Sequence, residues 1–214
     1  MVDSFQDVMK KLDHVEKELD YLNKHEVIIG FFGDRDSEIL TIARANEYGA
    51  NIVPKNSSGK LWVPSRQAIK DFGKSVTVKD VKNKFGKKFF VSGSKKSAGI
   101  NEGGKYTVYF YLLDKTRIPA RPFIRTAFEQ NKRKYQRYVK VGIDEIVYDG
   151  KTGKQLLTKL GKLGVSDLRA SIKNWTKPGN APLTIDNKKG ANNPLVDTGG
   201  LIKKVTYMIV PIGG

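Results

Sequence analysis

Cysteine is absent from this 214-residue chain. Disulfides, thiolate metal sites and thiol nucleophiles are therefore excluded, and assembly in a reducing cytoplasm is the expectation. Histidine is nearly absent too. His14 and His25 are 11 residues apart and lack an obvious carboxylate cluster at ligand spacing, so neither a metal nor any other cofactor is expected. No apolar run approaches the roughly 20 residues that cross a bilayer, so no membrane is expected. The opening residues hold no basic segment followed by an apolar one, and no secretory leader is expected. A Gly-x-x-x-x-Gly-Lys phosphate loop and a Gly-x-Ser-x-Gly elbow are both missing. No fixed-period repeat runs through the chain, which sets solenoids aside.

What is present is globular in balance, 39% apolar and 29% charged, with a formal net charge of +17. The charge is uneven. Residues 1–50 hold 6 Lys and Arg against 11 Asp and Glu, whereas residues 51–214 hold 33 against 11. A chain acidic at one end and basic beyond it can pair with copies of itself, or present its basic part to nucleic acid or an acidic partner.

Phe5, Val8, Leu12, Val15, Leu19 and Leu22 alternate spacings of three and four, which predicts a helix from about Ser4 to Lys24, capped by Asp3 or Ser4. So thin a seam needs a partner surface, either its own domain or a neighbouring subunit. Val27–Phe32 reads as a buried strand, and Ser37–Tyr48 as a helix capped by Asp36 or Ser37 and stopped by Gly49. Strand-like pieces follow at 61–63, 88–91 and 106–113, with a short helix near 65–72 and a Ser/Gly/Lys hairpin tip over 92–105. Helices are predicted over 122–148 and 152–174, the second with Gly161 and Gly164 allowing close packing or a bend. Residues 175–193 read as loop, and 205–210 as a last strand.

Two segments invite a chemical reading. Asp197-Thr198-Gly199 is the tripeptide of aspartic proteases, but those enzymes pair two such carboxylates and this chain has one. Its ordinary role is structural, with Asp197 or Thr198 capping a turn into Leu201. The stretch Lys82–Lys105 interleaves Lys82, Lys84, Lys87, Lys88, Lys95, Lys96 and Lys105 with Phe85, Phe89 and Phe90. Phosphate contacts plus base stacking would suit it to DNA without sequence preference. The rings are equally the core of a small sheet, and the lysines its solvated rim.

Glu47-Tyr48-Gly49, then Ile118-Pro119-Ala120-Arg121-Pro122-Phe123, then Pro194-Leu195-Val196-Asp197-Thr198-Gly199-Gly200-Leu201 follow one another in this order. That order resembles the neck-protein family of tailed phages, also called tail-completion or minor tail component proteins. The resemblance implies a ring-forming structural subunit of the virion, without enzymatic activity, at the head–tail joint or the head-proximal end of the tail. Its partners would be copies of itself and other head-completion, tail-terminator or tail proteins, with DNA in the channel. Simple members pass from the first motif to the second in a few residues, whereas residues 50–117 intervene here.

The expected fold is α+β. It has a small antiparallel or mixed sheet packed on helices, a long N-terminal helix over 1–25, a core over 26–50 and 119–214, and a basic β-rich insertion over 51–118. Pro119, Arg121, Pro122 and Phe123 are expected to form one rigid corner, and Asp197, Thr198 and Gly199 another. The seam Phe5–Leu22 and the basic insertion are the expected interfaces. The alternative function is a sequence-independent nucleic-acid-binding protein using 51–214.

Overall fold

A computed structural model describes residues 4–34, 37–188, 192–197 and 199–213. The fold is α+β, with small antiparallel sheets packed against helices and a long N-terminal helix. The chain divides into two compact units. The first holds residues 1–47, 122–175 and 198–214, and the second 48–121 and 176–197.

In the first unit, α1 (Phe5–Lys24) starts at Ser4, whose side chain accepts from the Asp7 N–H while the Asp7 carboxylate accepts from the Ser4 N–H, a reciprocal capping box. Asp3, the other expected cap, lies outside the described residues, as does Asp36. Strand β1 (His25–Gly30) follows at once, and α2 (Glu38–Tyr48) comes after it. The long helices α5 (Phe123–Asp149) and α6 (Gly153–Asn174) pack on each other and bury Phe123, Ala127 and Ile146 against Leu156, Leu157, Val165, Leu168 and Ile172. Each large side chain fully buried in this way contributes about 1.5–3 kcal/mol. A short helix, α8 (Gly200–Lys204), leads into β8 (Thr206–Pro211), which pairs antiparallel with β1 from His25↔Pro211 to Gly30↔Thr206.

The glycines of α6 serve close packing. A Cβ on Gly161 would lie 2.3 Å from the Tyr207 ring, and one on Gly164 2.3 Å from Ile29 Cδ1. The β1–β8 ribbon therefore lies directly on the α6 backbone.

In the second unit, β2 (Ala50–Ile52) pairs with β7 (Thr116–Ile118). A separate four-stranded sheet has the order β3 (Leu61–Pro64), β6 (Lys105–Leu113), β5 (Ser97–Glu102), β4 (Phe89–Val91). Helices α3 (Arg66–Phe72) and α4 (Val78–Phe85) supply Ala68 and Val81 to its core beside Phe89, Phe110 and Leu112. The short helix α7 (Pro182–Asn187) belongs to the same unit.

Several expectations are corrected here. Among the described residues the strands form three separate sheets and not one small sheet. The insertion is β-rich, as expected, and adds the helix α4, on which Val78, Val81 and Phe85 recur at helical spacing between lysines. Residues 176–197, expected in the core, pack with the insertion. The expected hairpin tip over 92–105 contains β5, whose Ala98, Gly99 and Ile100 are buried. Its small residues disguise it: a Cβ on Gly99 would sit 2.0 Å from the Thr107 carbonyl oxygen, so only glycine allows the strands to approach. The predicted loop over 175–193 holds α7.

Candidate assembly surfaces

The acidic first segment supplies carboxylates to the starts of both long helices. A helix leaves its first N–H groups without intrahelical partners and carries partial positive charge there. Pro122 occupies the N-cap position of α5 and offers no side-chain cap. Glu47, only 5% exposed, takes that part from α2: its Oε2 accepts from Ile124 N at 2.9 Å and its Oε1 from Arg125 N at 3.2 Å. At α6, Glu18 Oε2 accepts from Gly153 N at 2.8 Å, beside a local capping box of Thr152 and Gln155. Two of the acids that make residues 1–50 negative are thus helix caps.

The residues expected to form the first corner have architectural work. Phe123 is fully buried, edge-on to Phe31 with ring centroids 6.1 Å apart, and its carbonyl accepts from Ser171 Oγ. Arg121, 5% exposed, donates from Nε to the Pro178 carbonyl and from Nη2 to the Gly179 carbonyl, at 3.0 and 2.9 Å. Burial pulls its pKa below the usual guanidinium value. Pro119 follows the last residue of β7; it has no N–H to donate and ends the pairing there. Gly49 needs to be glycine on two counts. Its φ is +77°, and a Cβ would meet the Ile118 carbonyl oxygen and the Ala120 nitrogen at 3.0 Å. The first two motifs thus meet in the fold.

The second corner differs from expectation. Asp197 does not cap the turn into Leu201. It forms an ion pair with Lys74 at 3.0 Å, both side chains more than half exposed. Gly199, in the left-handed region at φ +77°, holds the N-cap position of α8 without a side-chain bond. Thr198 lies outside the described residues. A single exposed carboxylate neutralised by lysine lacks the second carboxylate of an aspartic protease site.

The seam of α1 splits in two. Its C-terminal half is docked: His14 Nε2 lies 3.1 Å from the Lys151 carbonyl oxygen, and Val15 and Leu22 are half-buried. Leu19 is only marginally exposed. The N-terminal half is uncovered, with Phe5 79%, Leu12 57%, and Val8 and Met9 each 42% exposed. His25 stacks on Tyr21 and lies 2.9 Å from the Tyr21 carbonyl oxygen. Among the described residues no group of three or more His, Asp or Glu could hold a metal ion, and no helix is long and apolar enough to cross a membrane.

All seven lysines of the predicted basic surface, Lys82, Lys84, Lys87, Lys88, Lys95, Lys96 and Lys105, are exposed. Lys84 lies over the Phe72 and Phe85 rings, and Lys88 is within 3.4 Å of Glu102. Of the three interleaved aromatics, Phe89 is buried against Phe110, and Phe85 packs on Phe72 and Tyr109. Phe90 alone stays outside, tilted over Tyr106.

One feature had no signal in the sequence. An apolar cleft of about 430 Å³ opens between β1, α5 and α6, lined by Val27, Ile29, Ile124, Phe128, Leu160 and Leu168 among others. Phe128 on its rim is 52% exposed. The periodicity of α5 marks Phe128 as inward-facing, and only the packed structure shows that nothing covers it. Compared with protein-family models, with curated proteins and with solved structures, the chain matches nothing.

Proposed function

We propose that this chain is a structural subunit of a tailed-phage particle, placed at the head–tail joint or the head-proximal end of the tail. Identical copies close a ring around the DNA channel and meet other head-completion, tail-terminator or tail proteins there. The role is geometric and not enzymatic. One observation carries the reading: the motifs that resemble the neck-protein family spend their charged groups on backbone. The Glu47 carboxylate is used up on two N–H groups at the start of α5, and the Arg121 guanidinium on two carbonyls. Both are buried, and both fix chain direction.

The decisive experiment removes the gene from the genome that encodes it. Filled heads and separate tails are expected; normal joined particles would overturn the proposal.

A second reading has its own observation. The second unit holds 19 Lys and Arg against 6 Asp and Glu. Sequence-independent binding of DNA by the isolated protein would show tight association with a steep salt dependence. Weak binding at physiological salt leaves the basic surface a role within the particle only.

A further inference from the structure

The four-stranded sheet of the second unit has two faces, and they are built differently. Helices α3 and α4 cover one, where Ala68 and Val81 pack beside Phe89, Phe110 and Leu112. Side chains alternate along a strand, so Phe90, next to Phe89, and Tyr111, between Phe110 and Leu112, point the other way. Phe90 and Tyr111 are 43% and 37% exposed. Phe90 stands opposite Gly99, and Tyr111 stands between Val63 and Ser97.

Rings join across this second face. The Tyr106 ring lies over β5: a Cβ on Gly99 would stand 3.2 Å from its Cε2. Its centroid is 5.6 Å from that of Phe90, and its hydroxyl is 3.2 Å from Oγ of Ser97, the residue paired with Tyr111. Phe90, Tyr106 and Tyr111 therefore form one aromatic stripe across β4, β5 and β6.

Charge says what suits the stripe. From Gly86 to Leu113 the chain carries Lys87, Lys88, Lys95, Lys96 and Lys105 against Glu102 alone, and all five lysines are exposed. They stand at both ends of the stripe. At one end of β5, Lys88 Nζ lies 3.4 Å from the Glu102 carboxylate, and Glu102 pairs with Lys105. At the other end Lys95 and Lys96 precede Ser97, and the Lys96 carbonyl accepts from Leu112 N. Lysine is depleted in the interfaces between proteins, whereas a phosphate backbone calls for it. In a duplex the bases already stack on one another, so only unpaired bases offer their faces to exposed rings.

We infer that the Phe90–Tyr106–Tyr111 face binds single-stranded nucleic acid, with bases stacked on the rings and phosphates held by the lysines at the two ends. This rests on the nucleic-acid reading above and names the strand form and the surface. It also moves the stacking from Phe85 and Phe89, which pack inside, to the opposite face of the sheet.

The test uses the full chain and a labelled mixed-sequence DNA oligonucleotide, either single-stranded or annealed to its complement. Binding is followed by fluorescence anisotropy over a salt series. Tighter binding of the single strand is expected. Phe90→Ala is expected to weaken it about tenfold with little change for the duplex, and Tyr111→Ala to act alike. Phe90→Tyr keeps a ring and should bind as the parent does. Melting curves check that each variant is folded. Lys95→Ala combined with Lys96→Ala is expected to lower the salt slope by about 1–2. Equal affinity for the two forms, or single-strand binding unmoved by either ring removal, overturns the inference. If binding is then still tight and steeply salt-dependent, the nucleic-acid reading stands without this site. If neither form binds at physiological salt, both fall, and the face is left to an acidic protein partner.

Discussion

The two units solve the problem of a stable core differently. The first is built from long helices with a two-stranded ribbon laid on them, and glycines bring backbone to side chain at the contacts. Its 20 Lys and Arg are nearly balanced by 16 Asp and Glu, two of which cap helices. The second is a small sheet with an aromatic core, Phe72, Phe85, Phe89, Tyr109 and Phe110 in edge-on or tilted contacts, under a surface with three times as many basic as acidic residues. The first places its charges where backbone dipoles need them. The second leaves its charges on the outside, where they contribute little to stability.

Changes at four positions sharpen that contrast. Phe110→Ala removes the central ring of the second unit and is expected to destabilise it by about 3–5 kcal/mol. Hydrogen exchange should show β3, β5 and β6 losing protection before α5 and α6; uniform loss would mean that the units share one cooperative core. Glu47→Ala strips the cap from α5 and is expected to cost about 2–3 kcal/mol by denaturant unfolding, since buried N–H groups lose charged acceptors. Glu47→Gln should cost less, because it keeps one acceptor.

Gly161→Ala adds a methyl that must displace the Tyr207 ring, an overpacking of about 1–3 kcal/mol that outweighs alanine's better helix propensity. A neutral result would show that the β1–β8 ribbon shifts freely on α6. Asp197→Asn breaks an exposed pair with Lys74 and is expected to change stability by about 0–1 kcal/mol, with assembly intact.

The second unit also has a pH signature. Burial, and then the hydrogen bond to Asp71, raise the pKa of Tyr109, while the hydrogen bonds from Gln67 and Tyr109 lower that of Asp71. A raised pKa means that the contribution of Tyr109 is complete below the unfolded tyrosine value of about 10 and is lost as pH rises beyond it. That of Asp71 is complete above the ordinary carboxylate range and is lost as pH falls through its lowered value. Tyr109→Phe should flatten the alkaline fall in the melting temperature of this unit.

Much of the first unit was legible in the sequence. The apolar periodicity of 122–148 and 152–174 marked both long helices, and Gly161 and Gly164 were readable as close-packing positions. The alternating strand near 205–210 was readable, but its partner was not, because pairing is decided by packing. The second unit hid more. β5 lay in a run of small and polar residues, and α4 carried so many lysines that its three apolar positions did not stand out. The candidate surfaces divide the same way. The α1 stripe showed in the spacing of Phe5, Val8 and Leu12, whereas the Asp197–Lys74 pair spans 123 residues of separation and leaves no local mark. Glu47 was readable only as part of a helix stop; that its carboxylate caps another helix depends on α5 being brought beside it.

The ribbon joining His25–Gly30 to Thr206–Pro211 sets the timing of maturation. During synthesis, β1 emerges early and waits for a mate that leaves the ribosome only after both long helices and the whole second unit have been made. Until then β1 lacks the strand it pairs with. The ribbon of the first unit is therefore completed only when translation has reached the last strand.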